Sequence, residues 1–342
     1  MKFEAVTIKD IAKALQLSPS TVSRALRDSH EIGEATKKRV QSYAKEHNYR
    51  PNPAALSLKE KKTKSIGIVV AEIANSFFSQ LIDGVESVAY ERGYNVIITQ
   101  SKESFEKELL ILDYLTSRSV DGIIISVSAE TDDFGPFQEL KERGLSLVFV
   151  DRISNEIESH KVIIDNKMGA YEATKHLIEQ GCRHIAIIAN NLNLSITKER
   201  IAGCERALQE KGIRLHPNQI KYCNYGGNIQ KETQIALDQL FSRKPKPDGI
   251  VSLSDRLSIE IIRYMNDKGI KMPKQVALIG FSNSNNTELL NPSLSVIRQP
   301  AFEMGQAAAT LLLQTIESRR PVTYFETKVI APEIIIRKSS SK

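Results

Sequence analysis

The sequence has few of the features that mark secreted or membrane proteins. No apolar run in its 342 residues approaches the roughly 18 residues that span a membrane. Its first residues, MKFEAVTIKDIAKAL, mix acids and lysines with apolar residues and lack the hydrophobic block of a signal peptide. We therefore expect a cytoplasmic protein.

Cysteine is also scarce, and this bears on metals and redox state. Cys182, Cys204 and Cys223 are widely spaced, with no CxxC pair and no histidine at ligand spacing. An odd number of such thiols favours reduced cysteines over a disulfide or a metal site. The six histidines are scattered along the chain. We expect neither a metal nor another cofactor.

The short motifs of common enzymes are missing as well. The sequence has no glycine-rich phosphate loop, no GxSxG, no HExxH and no close pair of carboxylates at strand ends. We therefore expect a chain that is not an enzyme. Its length favours two or more domains, each able to bury a core of its own.

Positive charge is concentrated at the amino terminus. Residues 1–64 hold 14 Lys and Arg against 7 Asp and Glu, a net charge of +7, which leaves −1 for the rest of a chain with +6 overall. A polyanion is the natural partner of such a segment. The larger remainder is expected to do something else.

Three helices fit the first 50 residues. Thr7 is expected to cap the helix IKDIAKAL, and Ser18 to cap a second helix with Pro19 at its first position, where a missing N–H costs nothing. A third helix runs from about Glu34 to His47. Two short helices joined by a tight turn and followed by a third are typical of the helix-turn-helix.

The segment SPSTVSRALRD is amphipathic and basic. Spacings of three and four place Val22, Ala25 and Leu26 on one stripe and the polar residues opposite. Taken alone, this pattern also fits a solvated surface helix. Together with the basic charge, it predicts a helix that enters the major groove of DNA.

The polar side chains of this region fall into two groups: those suited to base edges and those suited to phosphates. Short hydroxyls can contact a base edge or a phosphate, and an arginine can bind guanine through two hydrogen bonds or grip a phosphate. Helix starts and their caps are better suited to phosphates. The candidate DNA-binding residues here are Thr7, Ser18, Pro19, Ser20, Thr21, Ser23 and Arg24.

From Ser65 onward, short β-branched runs alternate with amphipathic helices. Runs such as SIGIVVAE, DGIIISV, HIAIIAN and VALIGFS are typical of buried parallel strands, and their alternation with helices predicts a doubly wound sheet. Two such series follow one another, which predicts two α/β lobes with a cleft between them. TYFETKVI and EIIIR are expected to be late strands, and KSSSK a polar tail.

These motifs together resemble the LacI/GalR family of bacterial transcriptional repressors. The resemblance rests on VTIKDIAKALQLSPSTVSRAL, NYRPN and SLK, and continues through IGIVVAEIANSFFSQLIDGVE, VDGIIIS, VDR, LSDRLSIEII, VALIGFSN and LNPSLSVIRQP. It implies an N-terminal all-α helix-turn-helix domain followed by two doubly wound α/β lobes of the periplasmic-binding-protein type. It also implies a homodimer on double-stranded operator DNA, a pseudo-palindrome, and allosteric control by a small polar effector, a sugar or sugar derivative.

The resemblance divides the chain into three parts. Residues 1–50 form the DNA-binding domain, 51–64 a hinge helix and linker, and 65–338 the effector-binding and dimerisation domain. Within that domain we expect a first lobe from 65–160 and 290–320, and a second lobe from 161–289 and 321–338.

The hinge carries its own candidates. In the family an apolar side chain wedges into the minor groove at the centre of the site, and Leu58 matches it; Asn52 and Ala55 are the other DNA-binding candidates of this segment. Leu56 departs from the family, which often has a polar or basic residue there. Either Leu56 joins an apolar contact between paired hinge helices, or the electrostatics of the minor groove are weaker.

The resemblance also implies a set of effector-binding residues in the cleft. Aromatic rings suit a sugar or base face, and charged groups orient hydroxyls or a carboxylate. The candidates are Asn75, Phe77, Phe78, Asp151, Arg200, Tyr225 and Asp255. The two phenylalanines are also compatible with plain core packing, and the charged residues with contacts inside one lobe. Ser282 stands where the family usually has an acid and is assigned no role.

Two further matters depend on the same resemblance. The lobes alone would suit a transport-type binding protein, but the basic amino terminus favours a regulator. The polar carboxy-terminal tail, without a heptad helix, leads us to expect a dimer rather than a tetramer. The sequence leaves open whether the effector is an inducer or a corepressor, and whether some promoters are activated.

Overall fold

The chain divides into two compact units, residues 1–63 and 64–342. The computed structural model describes residues 6–49 and 62–341. The described part of the first unit consists of the helices α1 (Ile8–Leu15), α2 (Pro19–Leu26) and α3 (Glu34–Glu46).

The three helices enclose a small apolar core. Val22 and Ala25 of α2 are fully buried and pack with Ile11 of α1 and Val40 of α3. The turn from α1 to α2 is tight because Gln16 adopts a left-handed conformation with φ of 54°. The predicted helix-turn-helix, with its apolar stripe turned inward, is confirmed.

The second unit contains the strands and most of the helices. Its strands are β1 (Ser65–Val70), β2 (Asn95–Gln100), β3 (Gly122–Ile125), β4 (Ser146–Val150), β5 (His160–Ile164), β6 (Ile185–Ala189), β7 (Ile220–Tyr222), β8 (Gly249–Ser252), β9 (Ala277–Phe281), β10 (Ser295–Arg298), β11 (Thr327–Ile330) and β12 (Glu333–Ile335). Its α-helices are α4 (Ser76–Glu91), α5 (Phe105–Ser117), α6 (Gly135–Glu142), α7 (Asn166–Glu179), α8 (Ser195–Glu210), α9 (Gln230–Phe241), α10 (Asp255–Asp267) and α11 (Ala301–Glu317). Short 3-10 turns lie at Pro217–Gln219 and Asn285–Glu288.

The strands form two six-stranded sheets, one in each lobe. The first has the order β11-β5-β4-β3-β1-β2 with all neighbours parallel, and the second has the order β12-β10-β9-β8-β6-β7 with only β12 antiparallel. Central strands such as β6 and β9 are buried along their whole length, as expected of a sheet covered on both faces. The predicted pair of doubly wound α/β lobes is therefore confirmed.

The predicted lobe boundaries are wrong for three strands. β5 and β11 belong to the first sheet although residues 161–164 and 327–330 were assigned to the second lobe, and β10 belongs to the second sheet although 290–320 was assigned to the first. Backbone pairing of β5 with β4 and of β10 with β9 fixes these memberships. The chain therefore crosses between lobes just after β5, just after β10 and between β11 and β12.

The KSSSK segment is not a free polar tail. Ser339 and Ser340 are buried, and Ser339 exchanges hydrogen bonds with Leu278 at the start of β9. The Ser340 hydroxyl lies 2.8 Å from His176 Nε2 and 2.6 Å from Ser295 Oγ. The Ser339 hydroxyl thus satisfies buried backbone groups of the second lobe, the Leu278 carbonyl and the Ser295 N–H, and the segment packs against that lobe.

Two pairs of helices approach one another unusually closely. A Cβ on Gly84 of α4 would lie 2.0 Å from the carbonyl oxygen of Phe302 in α11, and one on Gly203 of α8 would lie 2.1 Å from that of Lys167 in α7. Glycine is needed at both crossings because the backbones are in contact.

The described residues hold no helix with the length and apolar character to cross a bilayer. Cys182, Cys204 and Cys223 are buried, and none of them forms a disulfide among the described residues.

Candidate functional site

Helix α2 begins at a well-formed cap. The backbone N–H of Thr21 donates to Ser18 Oγ at 3.0 Å, and Pro19 occupies the first helical position. The Ser18 hydroxyl also lies 2.7 Å from Ser20 Oγ and 2.8 Å from Thr21 Oγ1. The three hydroxyls therefore form one polar cluster at the start of the helix.

Arg24 lies on the exposed side of α2. Its guanidinium forms an ion pair with Glu31 at 2.7 Å, and about half of each side chain is exposed. Such surface pairs contribute little free energy, so the pair does not bury the charge. Ser23 is half-buried beside it.

Thr7 is committed to its own helix. Its hydroxyl donates to the Asp10 carboxylate at 2.7 Å, and its backbone N–H donates to the same oxygen at 2.9 Å. The Thr7 N–H bond and a bond from the Asp10 backbone N–H to Thr7 Oγ1, at 3.3 Å, together form a capping box at the exposed start of α1. The hydrogen bonds from Thr7, chiefly that of its hydroxyl, lower the pKa of Asp10. Asn52, Ala55 and Leu58, like Leu56, lie outside the described residues.

A cavity of about 620 Å³ lies between the lobes, at the carboxyl ends of their strands. This is where open α/β sheets bind ligands. A smaller recess of about 70 Å³ adjoins it and shares six of its lining residues. All seven predicted effector-binding residues line these spaces: Asn75, Phe78, Tyr225 and Asp255 the cavity, and Asn75, Phe77, Phe78, Asp151, Arg200 and Asp255 the recess.

The two phenylalanines are core residues as well as lining residues, so the core packing that the sequence left open is present here. Phe77 and Phe78 are 7% and 4% exposed and belong to the main core of the unit. Their rings meet edge to face with centroids 5.1 Å apart. Both residues line the recess, and Phe78 also lines the cavity. They lie in the first turn of α4, which begins immediately after Asn75, and the Asn75 side chain caps that helix.

Asp151 and Arg200 lie together at the floor of the recess. Asp151 follows β4 with φ of 62° and is 4% exposed; burial raises its pKa, while the charges of Arg200 and Arg152 act against this. Gln299 Nε2 donates to its carboxylate at 3.4 Å. A left-handed aspartate held this way is typical of functional sites.

The Arg200 guanidinium is buried with one nitrogen unused. It donates from Nε to Asn166 Oδ1 and from Nη1 to the Leu253 carbonyl, both at 2.8 Å, and it lies 3.8 Å from the centre of the Phe281 ring. Nη2 has no partner among the described residues. Burial lowers the pKa of Arg200 to about 10, so it stays charged at neutral pH.

Asp255 and Ser282 contact one another on the second lobe. The Ser282 hydroxyl donates to Asp255 at the first residue of α10. Burial raises the pKa of Asp255, and this bond acts in the opposite direction. Tyr225 is 60% exposed on the loop after β7. Ser282 thus lines the recess although the sequence assigned it no role.

An acid and arginine cluster of the first lobe was not predicted. Arg152 donates to both carboxylate oxygens of Glu103, at 2.6 and 2.9 Å, and both residues line the cavity. Although burial acts to raise it, the Arg152 charge holds the pKa of Glu103 below its ordinary value. Glu108 lies behind this pair, fully buried, where it accepts hydrogen bonds from Ser128 N and Thr131 Oγ1.

One ion pair joins the two lobes across the cavity. Arg256 at the start of α10 donates to Glu72, which follows β1 on the other lobe. Lys102 of the first lobe lies 3.6 Å from the same carboxylate. Neither Glu72 nor Arg256 was predicted, because no motif signals a pair separated by 184 positions. Within 6–49 and 62–341, no group of three or more His, Cys, Asp or Glu could hold a metal ion.

Comparison with known proteins identifies both units. Residues 174–340 match the model of a periplasmic-binding-protein-like domain, so the lobed unit belongs to that fold class. Residues 7–52 match the model described as bacterial regulatory proteins, lacI family. The HTH-type transcriptional repressor PurR of Vibrio atlanticus (strain LGP32) is 32% identical over 337 residues, 97% of this chain and 98% of that protein.

Solved structures agree over similar lengths. The transcriptional regulator CelR in complex with cellobiose superposes with a TM-score of 0.72 at 28% identity, over 98% of this chain and 99% of its own. A LacI family transcriptional regulator from Enterococcus faecium with bound ribose gives a TM-score of 0.70 at 28% identity, over 81% and 98%. The chain belongs to the lacI family of bacterial regulatory proteins. It is a DNA-binding transcriptional regulator and not an enzyme, as the sequence predicts.

Proposed function

We propose that this regulator is a cytoplasmic homodimeric repressor of the following kind. Helix α2 reads a pseudo-palindromic operator, and a neutral sugar binds between the lobes and changes the affinity for that operator. The observation that carries the effector part is that all seven residues nominated from the sequence line one continuous cleft.

The polar side of α2 supports the DNA part of the proposal. Ser20, Thr21 and Arg24 are at least partly accessible on a helix whose opposite side forms the core. The hydroxyl cluster at the helix start, with Ser18, suits a phosphate, and Arg24 suits a guanine edge. Hinge residues Asn52, Ala55 and Leu58 remain proposed DNA contacts by resemblance.

The charge balance of the cleft favours a neutral ligand. Four cationic side chains and five acidic ones line the cavity and its recess: Lys102, Arg152, Arg200 and Arg256 against Glu72, Glu103, Glu130, Asp151 and Asp255. A phosphorylated ligand would meet a net negative surface. Hydroxyl groups instead pair with both signs, donating to carboxylates and accepting from guanidinium groups. Cellobiose and ribose in related structures are sugars of this kind.

Unpaired sheet edges support the homodimer. β2 and β7 are edge strands of the two sheets, and Ile98 on β2 is 41% exposed. Leu110 and Tyr114 on the neighbouring α5 are also exposed. An exposed edge with apolar neighbours is suited to burial against a second copy.

Thermodynamic linkage connects the two activities. A sugar that prefers one angle between the lobes shifts the population toward it, and the connector at 51–64 passes the change to the DNA-binding domain. An inducer and a corepressor are equally compatible with this linkage, and activation of some promoters is compatible as well.

A ligand screen tests the effector proposal. Calorimetry on the full chain with neutral mono- and disaccharides, and with the matching sugar phosphates, should give binding for at least one neutral sugar. Arg200→Met should weaken that binding roughly 10- to 100-fold because it removes the buried donors. Arg206→Met, an exposed arginine on the same helix that pairs with Glu210, is the matched control. Preference for a phosphorylated sugar, or equal affinity in both variants, would contradict the proposal.

A further inference from the structure

A second cavity, of about 450 Å³, lies on the second lobe at the opposite edge of its sheet. Most of its lining residues lie shortly before β6, β7 or β8, whereas the second-lobe residues that line the cleft follow these strands. The two cavities are therefore separated by the length of the sheet. The volume is in the range of sites for small organic ligands.

The charge of this cavity is of one sign. Arg183, Arg214, Arg243 and Lys244 line it together with His184 and His216, and no aspartate or glutamate does. Among the described residues none of these four cations is in an ion pair within 4.0 Å. The cleft between the lobes is different, because acids there outnumber cations.

Backbone carbonyl groups orient Arg183, and one acid, Asp248, lies near the cavity. Arg183 Nη1 donates to the carbonyl oxygens of Ile178 and Cys182 at 3.2 and 3.1 Å. Asp248 lies beside the cavity, and its carboxylate accepts the backbone N–H groups of Arg183 and His184 at 2.8 to 3.1 Å. That carboxylate offsets one charge of four. A positive excess remains.

Part of the lining is apolar. Ile213, Leu240, Pro245 and Pro247 line the cavity together with the basic groups. An inorganic anion would leave this surface uncovered, whereas a ligand with a flat organic body and a charged end would contact both parts. A nucleobase has such a body, and a phosphate chain such an end.

We propose that this cavity binds a nucleoside phosphate, with the base against the apolar lining residues and the phosphates at Arg214, Arg243 and Lys244. This is a second small-molecule site, separate from the cleft and from the DNA-binding helix. It is independent of the sugar proposal, because it shares no lining residue with the cleft.

Equilibrium binding of ADP to the full chain tests the site. We expect saturable binding that the double variant Arg214→Gln/Arg243→Gln weakens about tenfold or more, because each guanidinium supplies charge-assisted hydrogen bonds. Adenosine has the base but no phosphate, and inorganic phosphate has no base. Each should bind at least tenfold more weakly than ADP.

Matched variants locate the binding. Lys231→Gln/Lys246→Gln removes two exposed cations of the same lobe that do not line the cavity and should leave ADP affinity unchanged, as should Arg200→Met in the cleft. The four cations of the two double variants are exposed, and equal melting temperatures would show that each variant is folded. The proposal is overturned if ADP does not bind, if adenosine binds as well as ADP, or if the Arg214/Arg243 variant binds ADP normally. Binding of a polyglutamate peptide in place of ADP would also overturn it, in favour of an acidic protein partner.

Discussion

Arg24 is the residue on which the proposed sequence-specific DNA contact depends most directly. Its ion pair with Glu31 is exposed and adds little stability, so the guanidinium can exchange that carboxylate for a base edge. The capped start of α2 nearby holds the hydroxyls in a fixed cluster. DNA contact at this helix therefore requires little rearrangement of the domain.

Arg24→Ala is expected to cost about 1 to 3 kcal/mol of binding free energy at one base position if the side chain reads guanine. The measurement is binding to a set of duplexes with single base changes. Glu31→Gln is the companion variant and should raise affinity modestly, since it frees Arg24 and removes a negative charge near phosphates. An equal loss for Arg24→Ala on every duplex would mean that Arg24 contacts phosphate instead.

Glu108 makes stability depend on pH. Burial raises its pKa to about 7 from an ordinary 4.5, so between these values the folded chain keeps a proton that the unfolded chain has released. The free energy of unfolding should therefore fall as pH rises from 4.5 to 7 and level off above that.

Glu108→Gln should remove this part of the pH profile and be more stable than the wild type at pH 8, by roughly 1 to 3 kcal/mol. Denaturant titrations of the full chain across pH 4.5 to 8 measure it. Glu139→Gln, at an exposed position of the same lobe, controls for the loss of one negative charge. An unchanged slope in Glu108→Gln would show that another group carries the dependence.

For single residues, the sequence predicted which side chains would line the cleft. It did not predict which other side chains they would contact. The seven cleft residues were nominated by resemblance; apart from Arg200, within α8, they lie after strands or at helix starts, positions that parallel strands bring together at one edge. Arg152 and Glu103 are 49 positions apart, so their pairing depends on strand order and on a left-handed turn at Glu103 with φ of 64°. No local pattern contains that information.

At the scale of secondary-structure elements, closely packed pairs of helices determine the packing of each lobe. α4 crosses α11 at Gly84 and Gly305, where a Cβ would lie about 2 Å from a carbonyl oxygen of the partner helix. Backbones this close have no room for even a methyl group.

Gly84→Ala is expected to separate α4 and α11 and to destabilise the lobed unit by about 1 to 3 kcal/mol. Ser79→Ala, which places the same side chain at an exposed position of α4, should change stability little. Thermal and denaturant unfolding of the two variants give the comparison. Equal stabilities would show that the helices can move apart at no cost.

The elements themselves could be predicted from sequence, but their sheet membership could not. The apolar runs SIGIVVAE, DGIIISV, HIAIIAN and VALIGFS coincide with β1, β3, β6 and β9, and the three predicted amino-terminal helices agree with α1 to α3 within a few residues. β5, β10 and β11 were assigned to the wrong lobe because a strand at a crossover has the same pattern whichever sheet it joins. The buried serines of the KSSSK segment were missed for a similar reason, since a run of serines is typical of exposed tails.

At the scale of the whole molecule, side chains of the two lobes meet at the cleft. Glu72 and Arg256 bridge it from opposite sides, and both line the cavity that we propose for the sugar. A ligand that closes the lobes would act together with this pair.

Glu72→Gln and Arg256→Gln should each weaken effector binding a few-fold, and the double variant should be no weaker than either single one. The pair is partly exposed, so its coupling free energy should be about 0.5 to 1 kcal/mol. Lys102→Gln is the control, because Lys102 contacts Glu72 from the same lobe. Additive losses in the double variant would mean that the two side chains act separately.

The linkage between sugar and operator is the central claim, and one measurement tests it most directly. The dissociation constant of the full chain for a duplex selected from a random pool is measured with and without the sugar found by calorimetry, and again for Arg200→Met. We predict that sugar at a concentration just sufficient to saturate the wild type changes its constant about fivefold or more in either direction, while Arg200→Met binds the duplex normally and responds much less at that concentration. A sugar that binds the protein but leaves its affinity for the selected duplex unchanged would contradict the account.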